Sequence, residues 1–181
     1  MRFREETKLA TAWWIDQNAN MEWEQLCDDP TFENLPYRLE LSREGRIIIR
    51  PHRIYHSIFQ SRLIRWLNRL LPNGEAMPEC PIKNKSGIIV ADVAWASPQK
   101  VKRNFDLASW AESPEIVVEV LSPSNSGEEI RAKRKVVFAQ GALEFWVCDQ
   151  SGKVQFFGRS GKLTKSRLCP EFPKSVAEVF N

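Results

Sequence analysis

The sequence predicts an α/β protein in which a mixed sheet is flanked by helices. Short runs rich in valine and isoleucine, bounded by proline, serine and glycine, alternate with stretches of helical periodicity. One helical stretch lies between two apolar runs, and a crossover helix of this kind joins parallel strands. The 181 residues, 43% hydrophobic and 27% charged, have the size and composition of a single globular domain.

The N-terminal part is predicted to form an arm, a short helix and a hairpin. Residues 1–20 show no clear periodicity and are interpreted as an arm, so the single domain is expected over residues 21–181. A short helix is expected at Met21–Cys27. Two apolar segments, Tyr37–Leu41 and Arg46–Arg50, flank the turn sequence SREG, which is typical of a hairpin.

A long amphipathic helix is predicted between Pro51 and Pro72, because apolar residues recur there at helical spacing. These residues are Tyr55, Phe59, Leu63, Trp66, Leu67 and Leu70. A strand at Glu75–Lys83 and the apolar run Ile88–Trp95 follow it. Beyond them we expect a basic loop at Gln99–Arg103 and one helical turn at Leu107–Trp110.

The second half of the chain is predicted to be strand, helix and hairpin. Glu115–Ser122 is an apolar run, and Ser126 begins a capping box for a helix over Glu128–Gln140. An apolar strand at Glu144–Asp149 then pairs with a hairpin partner at Val154–Phe157. A second capping box, formed by Ser175 and Glu178, indicates a terminal turn of helix.

Charge, cysteine content, hydropathy and missing motifs together argue against several classes of protein. The net charge of +3 is too small to require a nucleic-acid partner, although a local basic patch would still allow one. The four cysteines form no CxxC pair, so we expect reduced thiols and a cytoplasmic location. The first residues lack the apolar run of a signal peptide, and no segment is long and apolar enough for a membrane span. A G-x-S-x-G elbow and a phosphate-binding glycine-rich loop are both missing.

Two carboxylates stand in the middle of apolar runs, Asp92 in IIVADVAW and Glu119 in EIVVEVLS. Burying an unpaired charge costs on the order of several kcal/mol, so each carboxylate needs an ion-pair, hydrogen-bond or metal partner. Strand alternation places Asp92 on one face with Ile88, Val90 and Ala94. If the two strands are neighbours in suitable register, the carboxylates lie side by side, and a cation such as Mg²⁺ would relieve their repulsion. The alternative is that they lie at strand ends in water or pair with arginines.

Lys133 and His56 are the other candidates. Lys133 falls with Ile130 and Val137 on the inward stripe of its helix, where a lysine is either functional or packs its stem and extends its ammonium group to water. His56 lies near the apolar stripe of the long helix and is either a structural or a catalytic histidine. It forms an H-x-x-x-H pair with His52, but no third zinc ligand is evident.

Basic residues of the long helix and of the following loop form a further group. They either contact phosphate groups or only keep the surface solvated, and for the helix arginines the second interpretation is favoured. The residues are Arg62, Arg65, Arg69, Lys100, Lys102 and Arg103.

The strings ADVAW, IVVEVLSPSNS and EIRAKRKVVFAQGALEFWVCD resemble the Uma-type restriction endonuclease family, a branch of the PD-(D/E)XK nuclease superfamily. The upstream segment YRLEL…GRIIIRP…H is similar to the hairpin and helix start of that family. The resemblance covers roughly residues 21–157. It implies a restriction-endonuclease-like core, a mixed sheet flanked by helices with an N-terminal hairpin, and a metal-dependent phosphodiesterase site.

By position, the resemblance makes Asp92 and Glu119 the metal carboxylates and Mg²⁺ or Mn²⁺ the cofactor. The superfamily's usual lysine follows the acid by two residues, where this chain has Leu121, and the Uma-type branch supplies it from the next helix as Lys133. Glu40 and His56 match recurrent family positions near the site. Ala91 replaces the motif proline.

The implied activity is that of a Mg²⁺-dependent endodeoxyribonuclease that hydrolyses DNA phosphodiester bonds. DNA is therefore the expected partner. No membrane association is expected, and a homodimer is left open. A second interpretation is a catalytically inactive nuclease-like module that binds nucleic acid or protein, because fold does not determine function. Nothing in the sequence favours a purely structural subunit.

Overall fold

The computed structural model of the protein describes seven segments of the chain, and these are residues 13–15, 22–30, 38–42, 45–50, 53–85, 87–123 and 125–178. Within them the chain forms four helices and nine strands. The helices are α1 (Trp23–Asp28), α2 (Ile54–Leu70), α3 (Pro98–Asn104) and α4 (Gly127–Ala139). The strands are β1 (Trp13–Ile15), β2 (Arg38–Ser42), β3 (Ile47–Arg50), β4 (Glu75–Asn84), β5 (Gly87–Ala96), β6 (Ile116–Val120), β7 (Glu144–Cys148), β8 (Val154–Gly158) and β9 (Gly161–Leu163).

One mixed sheet contains all nine of these described strands, in the order β1-β3-β2-β5-β6-β7-β8-β9, with β4 also paired to β5. The pair β6–β7 is parallel and is joined by the crossover helix α4. The other pairs are antiparallel, including the predicted hairpin β2–β3. The predicted mixed α/β sheet is confirmed. Inside the predicted arm, the described residues Trp13–Ile15 pair with β3.

Helices cover both faces of the sheet. On one face, Phe59, Leu63 and Leu67 of α2 pack in a core with Val118 of β6. On the other face, Val137 of α4 packs in a second core. Every residue of β6 is buried, as expected for a central strand with a continuous apolar sequence. In the described part of the chain, no helix is both long and apolar enough to cross a membrane.

Local sequence chemistry explains both ends of α4, the helix that carries Lys133. The side chain of Ser126 accepts a hydrogen bond from the Glu129 N–H at 3.1 Å, which satisfies one of the free donors of the first turn. Gly141 has a φ of 102°, a conformation that glycine adopts without strain and that commonly ends a helix. The predicted helix is therefore confirmed, with both its start and its end one residue earlier.

Three local predictions were wrong. The expected basic loop belongs to α3. Pro98 occupies the first turn of this helix, where an N–H has no intrahelical acceptor and its absence costs no hydrogen bond. The expected turn ending at Trp110 is not helical, since the Trp110 backbone pairs with Ile82 across the sheet. The capping box at Ser175 begins no helix within the described residues, because Ser175 forms an antiparallel bridge with Lys153 instead.

Candidate active site

Five elements supply the five predicted site residues, which are Glu40 on β2, His56 on α2, Asp92 on β5, Glu119 on β6 and Lys133 on α4. The first four residues are buried, and the Lys133 side chain is 12% exposed. Burying five ionisable side chains together is unfavourable unless they form hydrogen bonds or ion pairs with one another. Their contacts fall into two groups, one around Lys133 and one around Asp92.

The ammonium group of Lys133 lies between two carboxylates. Its Nζ donates to Glu119 Oε2 at 2.7 Å and lies 3.7 Å from Glu40 Oε1. It also donates to the backbone oxygen of Val90 at 2.8 Å. The predicted inward position of Lys133 is confirmed, and the alternative of an ammonium group in open water is excluded. One ammonium group is thus shared between two carboxyl groups, those of Glu119 and Glu40.

The Asp92 carboxylate is tied to the strand that carries Glu119. Asp92 Oδ2 accepts a hydrogen bond from the backbone N–H of Val120 at 2.7 Å. The same oxygen lies 3.3 Å from His56 Nε2. His56 therefore faces the sheet and contacts a site carboxylate, a position that both of its interpretations, structural and catalytic, allow.

The antiparallel pairing of β5 with β6 brings the two predicted metal carboxylates to opposing positions. Val93 pairs with Val118 and Ala94 with Val117, so the same register sets Asp92 against Glu119. The predicted adjacency of the two strands is confirmed. The separation of roughly 4–6 Å that a shared metal ion needs stays a prediction.

The predicted composition of the Asp92 face was wrong. Ile88 and Val90 pack with α1, whereas Ala94 packs in the core beneath α4 together with Ala91. Residues 91 and 94 share a side, so the two-residue alternation shifts by one position at Asp92. The register of β4 sets Glu79 opposite Asp92, and Glu79 has a φ of 49°. Simple alternation could not predict this irregularity, because it arises from the pairing of two strands.

Gln60 is a site neighbour that the sequence did not single out. It lies on α2 one turn after His56, and its Nε2 donates to the backbone oxygen of Asp92 at 2.9 Å. The same Nε2 donates to Glu79 Oε1. The i, i+4 spacing from His56 was a signal available in the sequence.

The side chains present suit a hard cation bound by oxygen. Carboxylates are the ligands that Mg²⁺ accepts, and it needs only one or two of them beside water and phosphate oxygens. Among the residues that the structure describes, no group of three or more His, Cys, Asp or Glu side chains could hold a metal ion. A protein-only cage of the zinc type is therefore not seen in this part of the chain. His52, the other half of the H-x-x-x-H pair, lies outside the described residues.

Several of the basic side chains have partners within the protein. Arg62 donates to the backbone oxygens of Val176 and Ala177, at 2.9 and 2.5 Å. Arg103 lies 2.7 Å from Glu112, and the same carboxylate is 3.9 Å from Lys100. These contacts favour a structural role for the three residues over the phosphate-binding alternative.

The cysteines are unsuited to nucleophilic chemistry. Burial raises the pKa of Cys80 to about 12, and burial together with the charge of Asp149 does the same for Cys148. Burial, with the charge of Glu144 second, raises the pKa of Cys169 to about 11. All four cysteines are free thiols. They remain protonated near neutral pH, and the thiol is a much weaker nucleophile than the thiolate.

The fold and the site together define a class, a restriction-endonuclease-like α/β fold that carries buried carboxylates around an inward lysine. The solved structures include one of this fold. A crystal structure described as a "putative nuclease belonging to DUF820", from Anabaena variabilis, is similar with a TM-score of 0.68 and 17% sequence identity. The similarity covers 86% of this chain and 95% of that one. At this level of identity the similarity shows the fold alone.

The family is shown by a match to a family model. The model described as "Uma2: Putative restriction endonuclease" matches residues 22–179, most of the chain. The chain belongs to this family, and the resemblance found in its motifs is confirmed. Among curated proteins, no sequence matches the chain.

Proposed function

We propose that the protein is a metal-dependent endonuclease that hydrolyses DNA phosphodiester bonds. The observation that carries the proposal is the contact of Lys133 Nζ with Glu119 Oε2, at 2.7 Å, beside Glu40 in a buried cluster. Packing does not explain a buried lysine–carboxylate pair between β6 and α4, because an apolar pair of similar volume often stabilises a fold as well or better. Family membership supports the same function.

The metal is assigned to two carboxylates. Asp92 and Glu119 would hold Mg²⁺ or Mn²⁺, which when bound polarises the scissile phosphate and lowers the pKa of a bound water. Asp92 keeps its orientation through the Val120 N–H, a donor fixed in the sheet. Because this donor does not need to move, the carboxylate is positioned before any ligand arrives.

The remaining residues would handle charge and protons. Lys133 orients the attacking water or stabilises the charge that develops on the phosphate, since its ammonium group is already directed at Glu119. Glu40 holds the ammonium group from the other side. His56 contacts Asp92 and can donate a hydrogen bond or carry a proton from that position.

Calorimetric titration with Mn²⁺ and with Mg²⁺ tests the metal site. We expect binding by the wild-type protein and its loss in Asp92→Ala, because one of the two carboxylate ligands is removed. Asp106→Ala is the matched control, since Asp106 is exposed and remote from the site residues in sequence. Equal binding by Asp92→Ala and wild type would contradict the assignment.

Cleavage assays on plasmid and single-stranded DNA, across several metals, test the reaction. We expect metal-dependent cleavage that Asp92→Ala abolishes and Asp106→Ala retains. If the protein contacts phosphates, its DNA affinity falls as salt rises, because counterions are released on binding. Metal-independent DNA binding without cleavage would instead support the catalytically inactive module.

A further inference from the structure

Helix α2 reaches Asp92 with two side chains, one turn apart. His56 contacts the carboxylate, and Gln60 donates to the backbone oxygen of the same residue at 2.9 Å. The second acceptor of the Gln60 amide is Glu79 Oε1. Because both partners are acceptors, only the NH₂ end of the amide can satisfy them, and the orientation of the Gln60 side chain is determined by its surroundings.

The backbone that Gln60 contacts is irregular. Among the described residues, Glu79 is the one non-glycine with a positive φ, 49°. A conformation of this kind is strained for a residue with a side chain and persists where neighbouring groups hold it. It lies opposite Asp92, where the alternation of β5 shifts. Gln60 bonds to both residues of this opposing pair and so holds the irregularity from both strands.

Docking of α2 does not explain a glutamine here. Leu63 and Leu67 are fully buried and already pack this helix on the sheet. Gln60 is 9% exposed, and burying an amide is unfavourable unless its hydrogen bonds are made. An apolar residue would cover the same surface without that requirement.

We propose that Gln60 is a positioning residue that directs the Asp92 carboxylate by holding its backbone. The irregularity turns the Asp92 side chain toward β6, where its Oδ2 meets the Val120 N–H. The proposal rests on the proposed function, in which Asp92 is a metal ligand. It adds that the metal affinity of the site depends on a neutral amide that does not itself contact the ion.

The test replaces Gln60 with a residue of similar length that cannot donate, Gln60→Met. The imidazole NMR signals of His56 report the position of Asp92 directly, and the chain has only two histidines, so a His56→Asn variant assigns them. We expect shifted His56 signals and a Mn²⁺ affinity lowered roughly 10- to 100-fold, as for other residues that orient metal ligands. Far-UV circular dichroism should show a retained fold.

Ser61→Ala is the matched control, because Ser61 is exposed on the same helix. It should change neither the His56 signals nor the Mn²⁺ affinity. Glu79→Ala is the second variant and stands in if Gln60→Met does not fold, since it removes one acceptor and leaves the Gln60–Asp92 bond. We expect it to shift the His56 signals in the same direction by a smaller amount.

Unshifted His56 signals in the folded variants would overturn the positioning role. Shifts of the same size in Ser61→Ala would do so as well. The NMR arm uses neither metal nor DNA, so it can be interpreted even if the wild-type protein binds no Mn²⁺. Absence of Mn²⁺ binding by the wild type would contradict the proposed function alone.

Discussion

Two buried glutamates on neighbouring parallel strands, Glu119 on β6 and Glu144 on β7, show two different uses of a carboxylate in one sheet. They are 5% and 2% exposed. Glu144 accepts hydrogen bonds from three neutral donors, Trp146 Nε1 at 2.7 Å, the Arg167 N–H at 2.6 Å and the Leu168 N–H at 3.0 Å. The two backbone bonds join β7 to the C-terminal segment.

Glu119 is held by a charge instead. It accepts a hydrogen bond from the Lys133 ammonium group at 2.7 Å, and that ammonium group lies near Glu40 as well. A carboxylate surrounded by neutral donors fixed in the backbone stabilises the fold and has little affinity for other ligands. A carboxylate that shares one ammonium group with a second acid can exchange that partner for another cation. Burial therefore does not distinguish the two acids, whereas the charge of the donor that each one contacts does.

The largest effect is expected when the charged partner of Glu119 is removed. Lys133→Ala should lower the DNA cleavage rate about 100- to 1000-fold, the size of effect seen when one charge-stabilising group is deleted. Mn²⁺ binding should persist or tighten slightly, because a positive charge beside the ion is lost. Cleavage kinetics and calorimetry measure the two outcomes. Lys135→Ala, exposed on the same helix, is the control, and undiminished cleavage by Lys133→Ala would refute the catalytic role.

Glu144→Ala should produce the opposite pattern. One buried and two part-buried N–H groups lose their acceptor, so the free energy of unfolding should fall by about 3 kcal/mol. Mn²⁺ affinity of the folded protein should not change. Denaturant titration and calorimetry measure both, with Glu171→Ala as a control for loss of an exposed glutamate in the C-terminal segment. A loss of metal affinity without a loss of stability would reverse the distinction drawn between the two acids.

Arg62 extends the contrast to a basic residue. Its guanidinium group donates to the backbone oxygens of Val176 and Ala177 and so joins α2 to the C-terminal segment. Glu144 makes the corresponding connection from β7. Arg62→Ala should lower the free energy of unfolding by about 1 kcal/mol, through loss of hydrogen bonds from a charged donor. The salt dependence of DNA affinity should stay that of wild type. A shallower salt dependence than that of a Lys165→Ala control, which removes an exposed lysine outside the candidate phosphate-binding group, would instead assign Arg62 to phosphate contact.

The smallest effect concerns Asp149, at the end of β7. Burial by itself would raise the pKa of its carboxyl group, but hydrogen bonds from Ser151 and Lys153 and the charge of Lys153 outweigh it and lower the pKa below 3.8. A lowered pKa in the folded state stabilises the fold above the unfolded value, and this contribution disappears as pH falls through the folded value. Denaturant titrations should show Asp149→Asn less stable than wild type above pH 3.8, with the difference shrinking as the pH falls further below 3.8. A difference that is independent of pH would contradict the assignment.

The sequence by itself determined the strands and helices that carry the site residues and the inward position of Lys133. Apolar runs and helical spacing are local properties, so the strands around Asp92 and Glu119 and the helix after Ser126 could be recognised without knowing their neighbours. Motif spacing added the family, which the match over residues 22–179 confirms.

Only the tertiary structure decided which groups meet. Glu40 and Lys133 are far apart in the chain, and their contact depends on the placement of β2 beside β5. The shift of alternation at Asp92 arises from its pairing with β4, and Gln60 acquires its two acceptors only because α2 crosses that pair. Periodicity describes one element at a time, whereas hydrogen bonds and ion pairs between elements depend on register and packing, which are settled when the whole sheet forms.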